Sequence, residues 1–136
     1  MTPEFNGIDH VHLYVPRRDE AADWYLQVLG FRVVDKLLFW ATPSGPLTLE
    51  DSSGRIYLAL FERPDAGASS AIAFSADGEA FLNWRSHLQS HGLDVRISDH
   101  IVSWSLYFQD PYDNLHEIST FDYATVAATV NKGEFS

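Results

Sequence analysis

The sequence predicts an α+β fold made of two βαβββ modules, and three observations predict it. Strand-like runs open each half, at residues 8–15 and 70–76. A helical stretch follows each and stops at a glycine, Gly30 in the first half and Gly92 in the second. Three more strand-like runs close each half, so the whole order recurs at a period of about 60 residues. The repeat places module one at residues 7–62, a linker at 63–69, module two at 70–120 and a tail at 121–136, in a single domain of 136 residues.

Each element has a local reason. In residues 8–15, Val11, Leu13 and Val15 alternate with His10, His12 and Tyr14, the pattern of a half-buried strand. After Pro16, residues 18–29 carry Ala21, Trp24, Tyr25 and Val28 at helical spacing. Strands are expected at 31–41, 47–50 and 55–61, separated by Pro43-Ser44-Gly45-Pro46 and Asp51-Ser52-Ser53-Gly54. The linker is rich in Pro, Gly, Ala and Ser. In module two, residues 78–91 place Phe81, Trp84 and Leu88 on one helical stripe, and strands are expected at 94–97, 103–108 and 115–120. An Ala-rich helix is expected at 122–129, with a frayed polar end from Asn131.

Composition narrows the function. A net charge of −10 with nine Lys and Arg gives no continuous basic surface, which argues against nucleic acid and anionic membranes as partners. Cysteine is absent, so any metal must be held by His, carboxylate or water. The opening MTPEFNG does not read as a secretion signal and no apolar run reaches membrane-spanning length, so a cytoplasmic protein is the expectation. Ser69, Ser70, Ser103 and Ser105 lack a nucleophile turn, and no Gly-x-Gly-x-x-Gly or Walker loop is present. The carboxylates of Glu20, Asp23, Asp51, Glu62 and Asp65 read as solvated, and Asp110 and Asp113 as turn residues.

Two good metal ligands remain at opposite ends, His10 in the first strand and Glu117 in the last. Strand parity puts His12 on the face of His10, and Leu115 and Ser119 on the face of Glu117. It sends His116 and Ile118 to the other face. Tyr57, Ala59 and Phe61 share one face of their strand, as do Ser103, Ser105 and Tyr107 of theirs.

IDHVHLYV, AADWYLQVLGFRVV and LYFQDPYDNLHEIST together resemble the vicinal oxygen chelate superfamily, which groups glyoxalase I, fosfomycin-resistance thioltransferases, extradiol dioxygenases and bleomycin-resistance proteins. The resemblance implies a cup-shaped mixed β-sheet with helices outside and ligand side chains projecting into the cup. It implies a divalent metal, Fe, Ni, Zn or Mn, with His10 and Glu117 at ligand positions. The set is incomplete, because Ala71 occupies a usual His position and the further ligand position of glyoxalase I falls near Tyr57. His12, a His from another subunit, or metal-free function would each resolve the deficit.

Residues 100–117 are similar to the extradiol dioxygenase pattern, in which His100 and Tyr107 would be acid/base groups beside Fe(II). Asp113 stands where Gly is usual in that pattern, and His100 is equally readable as an exposed loop residue. His12, Tyr57, Phe61 and Ser105 are the expected substrate contacts, and Phe39 and Trp40 are candidates to extend the wall, with the sequence leaving open which of the two faces inward. Two functions follow: a metal-dependent lyase, isomerase or ring-cleaving dioxygenase, or a metal-free small-molecule binding protein of bleomycin-resistance type. A homodimer is implied by resemblance alone.

Overall fold

The structure, a computed structural model, describes residues 1–65 and 71–130. Linker residues 66–69, with Ser69, Ser70 and the end from Asn131, lie outside the described residues. The chain divides between residues 68 and 69 into two compact units. Each unit is a four-stranded mixed sheet, and the strand order is the same in both.

In the first unit, β1 (Val11–Val15) runs parallel to β4 (Tyr57–Glu62), with Val11 opposite Leu58 and His12 opposite Ala59. A parallel pair needs a crossover, which α1 (Arg18–Trp24) begins. Ala21 and Ala22 are buried, their small side chains allowing close approach to the sheet. The helix widens into a π turn over Tyr25–Leu29 and ends at Gly30, whose φ of 77° is in the left-handed region. β3 (Pro46–Glu50) pairs antiparallel with β4 and with β2 (Arg32–Val33). Leu13, Val15, Leu47, Leu49, Leu58 and Leu60 form one buried face, as the alternation demanded.

The expected strand over 31–41 is a correction. Only Arg32–Val33 pairs, and Asp35–Trp40 is a 3₁₀ helix. Its apolar run had the composition of a buried strand, yet Leu38, Phe39 and Trp40 are exposed. The loop that follows is held by the Arg18 guanidinium, which donates to the carbonyls of Ala41, Thr42 and Gly45 at 2.6–2.8 Å.

The second unit repeats the plan. β5 (Ile72–Ser75) is parallel to β8 (Leu115–Thr120), with Ile72 opposite His116 and Ala73 opposite Glu117. β7 (Trp104–Gln109) is antiparallel to β8 and to β6 (Arg96–Asp99). The edge strand β6 is shifted two residues from the expected 94–97, running on through Ser98 and Asp99, which pair with Ser105 and Trp104. α2 (Gly78–Ser90) is capped by Asp77, which accepts from the Ala80 N–H at 2.8 Å. It buries Phe81 and Leu88, while Trp84 is half-buried.

The tail forms α3 (Tyr123–Thr129) and buries Val126. Asp122 accepts from the Gly78 N–H at 3.2 Å, and Tyr123 O–H donates to Asp99 at 2.7 Å, tying α3 to α2 and β6. Among the described residues no helix is long and apolar enough to cross a membrane.

Candidate functional site

The face of the first sheet opposite Leu13 and Val15 carries the expected residues of module one. Register puts His12 beside Ala59 and Tyr14 beside Phe61, so the β1 histidines share a face with Tyr57, Ala59 and Phe61. His10 Nδ1–H donates to Asp9 Oδ2 at 2.8 Å. His10 Nε2 lies 3.0 Å from His12 Nε2, the two rings stacking at 5.0 Å between centroids and 23° between planes. His12 also rests on Phe61, 4.7 Å between ring centroids.

A cleft of 370 Å³ opens between this face and the 3₁₀ segment, lined by His10, Tyr57 and Thr48 with Val34, Leu37 and Trp40. Lys36 and Asp9 stand on its rim. Trp40 thus extends the wall as expected, whereas Phe39 is 71% exposed and belongs to the outer surface. Sequence reasoning missed Arg18, Lys36 and Asp9. Asp9 was visible as the neighbour of a candidate ligand, but the Arg18 contacts span 23 to 27 residues and leave no local signal.

The second sheet gathers the expected residues of module two on one face. Glu117 pairs with Tyr107 and Ala73, and Ser105 with Ser119, while His116 and Ile118 are buried on the opposite face. Ser105 O–H donates to Glu117 Oε2 at 2.7 Å. That hydroxyl supplies a donor for the half-buried carboxylate, so its charge does not by itself require a cation. His100 Nε2 stands 3.2 Å from Tyr107 O–H, and the Arg96 guanidinium lies 4.4 Å above the Tyr107 ring. His100 is exposed and in the turn between β6 and β7, but it is also paired with Tyr107.

The turn before β8 explains the departure at Asp113. Its φ is 69°, a conformation that suits Gly and that Asp tolerates better than most residues. Buried Asp110 braces the turn, accepting from the backbone N–H groups of Tyr112 and Asn114 at 2.8 and 2.9 Å and from the Asn114 amide at 2.9 Å.

Register also corrects the repeat. With Val11 equivalent to Ile72, Leu58 matches His116 and Ala59 matches Glu117. The further ligand position therefore falls at Ala59, not Tyr57. Ala71 likewise matches His10, so a methyl group occupies each of these two positions. Among the described residues no group of three His or carboxylate side chains is gathered tightly enough to hold an ion. His10 and His12 instead satisfy one another by their Nε2 contact, with Nδ1 of His10 donating to Asp9, and two imidazoles fall short of the three protein ligands a catalytic metal usually takes.

Residues 7–118 match the Glyoxalase/Bleomycin resistance protein/Dioxygenase superfamily, and the chain belongs to it. The chain is 29% identical to biphenyl-2,3-diol 1,2-dioxygenase 2 of Rhodococcus globerulus, over 91% of this chain and 66% of the relative, so it spans slightly under two thirds of that protein's length. Its fold is similar to lactoylglutathione lyase from Agrobacterium tumefaciens, with a TM-score of 0.69 and 24% identity over 87% of this chain and 96% of that one. It is also similar to the fosfomycin resistance protein FosX from Listeria monocytogenes complexed with Mn(II) and sulfate, with a TM-score of 0.67 and 13% identity over 93% and 99% of the two chains.

Proposed function

We propose that this chain is a small-molecule enzyme that uses a divalent metal to hold adjacent oxygens of its substrate, and that its reaction is ring cleavage of a catechol by dioxygen. The observation that carries the reading is the His100–Tyr107 pair, with Tyr107 directly across the ladder from Glu117. His10 and Glu117 are the proposed ligands. The ion would supply Lewis acidity toward the bound oxygens and a template for orientation.

The chain's own groups do the remaining work. Tyr107 O–H and His100 Nε2 form a two-step path for a substrate hydroxyl proton, and Arg96 fixes the phenol ring over which that path runs. Ser105 orients Glu117 through Oε2 and leaves Oε1 available. Tyr57 and Phe61 offer flat apolar contacts to a ring. The similarity to a biphenyl-diol dioxygenase supports the same choice. A homodimer is proposed on the family resemblance alone, and a cytoplasmic location is proposed with it.

The test is an aerobic assay with biphenyl-2,3-diol after anaerobic loading with Fe(II), following the coloured ring-fission product. Product formation that vanishes in His10→Ala and Glu117→Ala is the expected result. A metal-free binding protein, the second reading, is favoured by the methyl groups of Ala59 and Ala71. Tight catechol binding with neither turnover nor metal uptake would establish it in place of the enzyme.

A further inference from the structure

We infer that Asp99 is a positioning residue: held by Tyr123 of the tail helix, it fixes the turn that carries His100 and so sets His100 against Tyr107. The inference deepens the dioxygenase reading above and rests on it for its catalytic consequence. Its basis is the division of one carboxylate between two elements. Asp99 Oδ1 accepts from the Ile101 N–H at 2.8 Å, and Oδ2 accepts from the Tyr123 O–H at 2.7 Å.

The turn needs such a brace. Ile101 has a φ of 75°, in the left-handed region that a β-branched side chain rarely adopts. Its side chain is 83% exposed, so packing does little to offset that conformation. Hydrogen bonds hold it instead. The Val102 N–H donates to the His100 carbonyl at 2.9 Å, the His100 N–H donates to the Ser103 carbonyl at 2.8 Å, and Asp99 supplies the side-chain member of the set. Without Asp99 the Ile101 N–H loses its acceptor and the backbone relaxes towards negative φ, which swings His100, the residue just before it.

Strand parity lets a contact on one side of the sheet act on the other. Asp99 pairs with Trp104, which is buried on the apolar side. Tyr123 stacks on that indole at 5.3 Å between centroids and 25° between planes, and its carbonyl accepts from Trp104 Nε1–H at 3.2 Å. His100 comes next in the chain and reaches the opposite way, to Tyr107 on the face of Glu117. The brace persists at neutral pH, because the Tyr123 hydroxyl holds Asp99 below its usual 3.8 while the Asp99 carboxylate raises Tyr123 above its usual 10. A hairpin cap with no effect on the site would show the same two bonds, and the experiment separates the two.

On the full chain, NMR reads Ile101 amide exchange and the nuclear Overhauser contact between the His100 and Tyr107 rings. The aerobic assay with Fe(II) and biphenyl-2,3-diol reads kcat and KM. Asp99→Ala should speed Ile101 exchange at least about tenfold, weaken the ring contact at least about twofold and lower kcat about tenfold with KM unchanged. Tyr123→Phe, which keeps the stacking on Trp104, should move each readout the same way. Asp99→Asn keeps an acceptor for the Ile101 N–H and should retain the ring contact. Adding Ile101→Asn to Asp99→Ala should restore it, because Asn tolerates left-handed φ without a brace. An unchanged ring contact in both Asp99→Ala and Tyr123→Phe would overturn the inference, as would a loss that neither Asn substitution prevents. A contact altered by Asp99→Ala but not by Tyr123→Phe would overturn the part given to the tail helix. No turnover by the wild type would overturn the dioxygenase reading, and the ring contact would still decide whether Asp99 places His100.

Discussion

Lowering the pH should destabilise this fold through one residue, His116. Its ring is fully buried between Phe74 and Phe108, at centroid distances of 5.9 and 5.5 Å. Burial lowers its pKa from 6.5 to about 4, with the nearby Asp110 carboxylate working in the opposite direction. The folded state thus holds the neutral ring while the unfolded chain takes up a proton below 6.5. The stability is fully present above pH 6.5 and is lost as the pH falls from 6.5 towards 4. The loss amounts to about 2 kcal/mol at pH 5 and about 3 kcal/mol once the pH is below 4.

The carboxylates act lower down. Asp99, held below its usual 3.8 by the Tyr123 hydroxyl and the Ile101 N–H, gives up its contribution only as the pH falls below that value. Asp51 behaves alike: burial would raise its pKa, but hydrogen bonds from Ile56, Ser53 and Arg55 outweigh it. The window between 6.5 and 4 therefore isolates His116 from both. Urea unfolding of the wild type and of His116→Leu at pH 7.5, 6 and 5 measures the effect. Leu is close to His in volume, and comparing slopes with pH removes any constant packing difference. The wild type should lose about 2 kcal/mol more than the variant between pH 7.5 and 5. Equal losses would refute the burial argument.

Three further outcomes are expected. Gly78→Ala places a methyl group 2.6 Å from Asp122 Oδ2 and 2.8 Å from Thr125 Cβ, so it should cost about 1–3 kcal/mol, measured by thermal unfolding, and loosen α3. Arg18→Ala removes three charged hydrogen bonds to the 41–45 loop and should cost about 2 kcal/mol, with faster amide exchange across residues 35–45. If the proposed reaction holds, Tyr107→Phe should lower kcat by about a hundredfold without changing metal stoichiometry, since only the proton path is cut.

Much of this was readable in advance because strand parity is a local property. Leu13 and Val15 inward, His12 and Tyr14 outward, and the split between Glu117 and His116 all follow from a period of two. Gly30 and Gly92 marked helix ends because both adopt positive φ there, 77° and 78°. The sequence could not show what distant groups decide. The apolar run at 35–40 has strand composition yet forms a 3₁₀ turn, and the Arg18 contacts that pin the loop after it come from 23 to 27 residues away. The equivalence of Ala59 with Glu117 needed the actual pairing, since a loop of unequal length shifts any alignment of the halves by hand. Asp113 shows the reverse case, a departure from the family pattern whose φ of 69° reveals what the pattern's glycine is for.

The two modules share one backbone register and divide the chemistry hung upon it. On the apolar face the pairs match in kind: Val11 with Ile72, Leu13 with Phe74, Leu60 with Ile118, Leu49 with Phe108. Those positions carry the core of each unit, and burial leaves little freedom there. On the polar face the pairs are complementary instead: His10 with Ala71, His12 with Ala73, Ala59 with Glu117, Thr48 with Tyr107. One module holds imidazoles, and the other holds the carboxylate and the phenol. Because strand side chains alternate, an exchange on that face leaves the side chains of the apolar face in place, although Ala59 and Thr48 are themselves buried. His116 is the exception that tests the rule, an imidazole at the position matching Leu58 on the buried side. A polar group placed there costs stability whenever it can charge, whereas His10 and His12, on the other face, can charge at little cost to the fold.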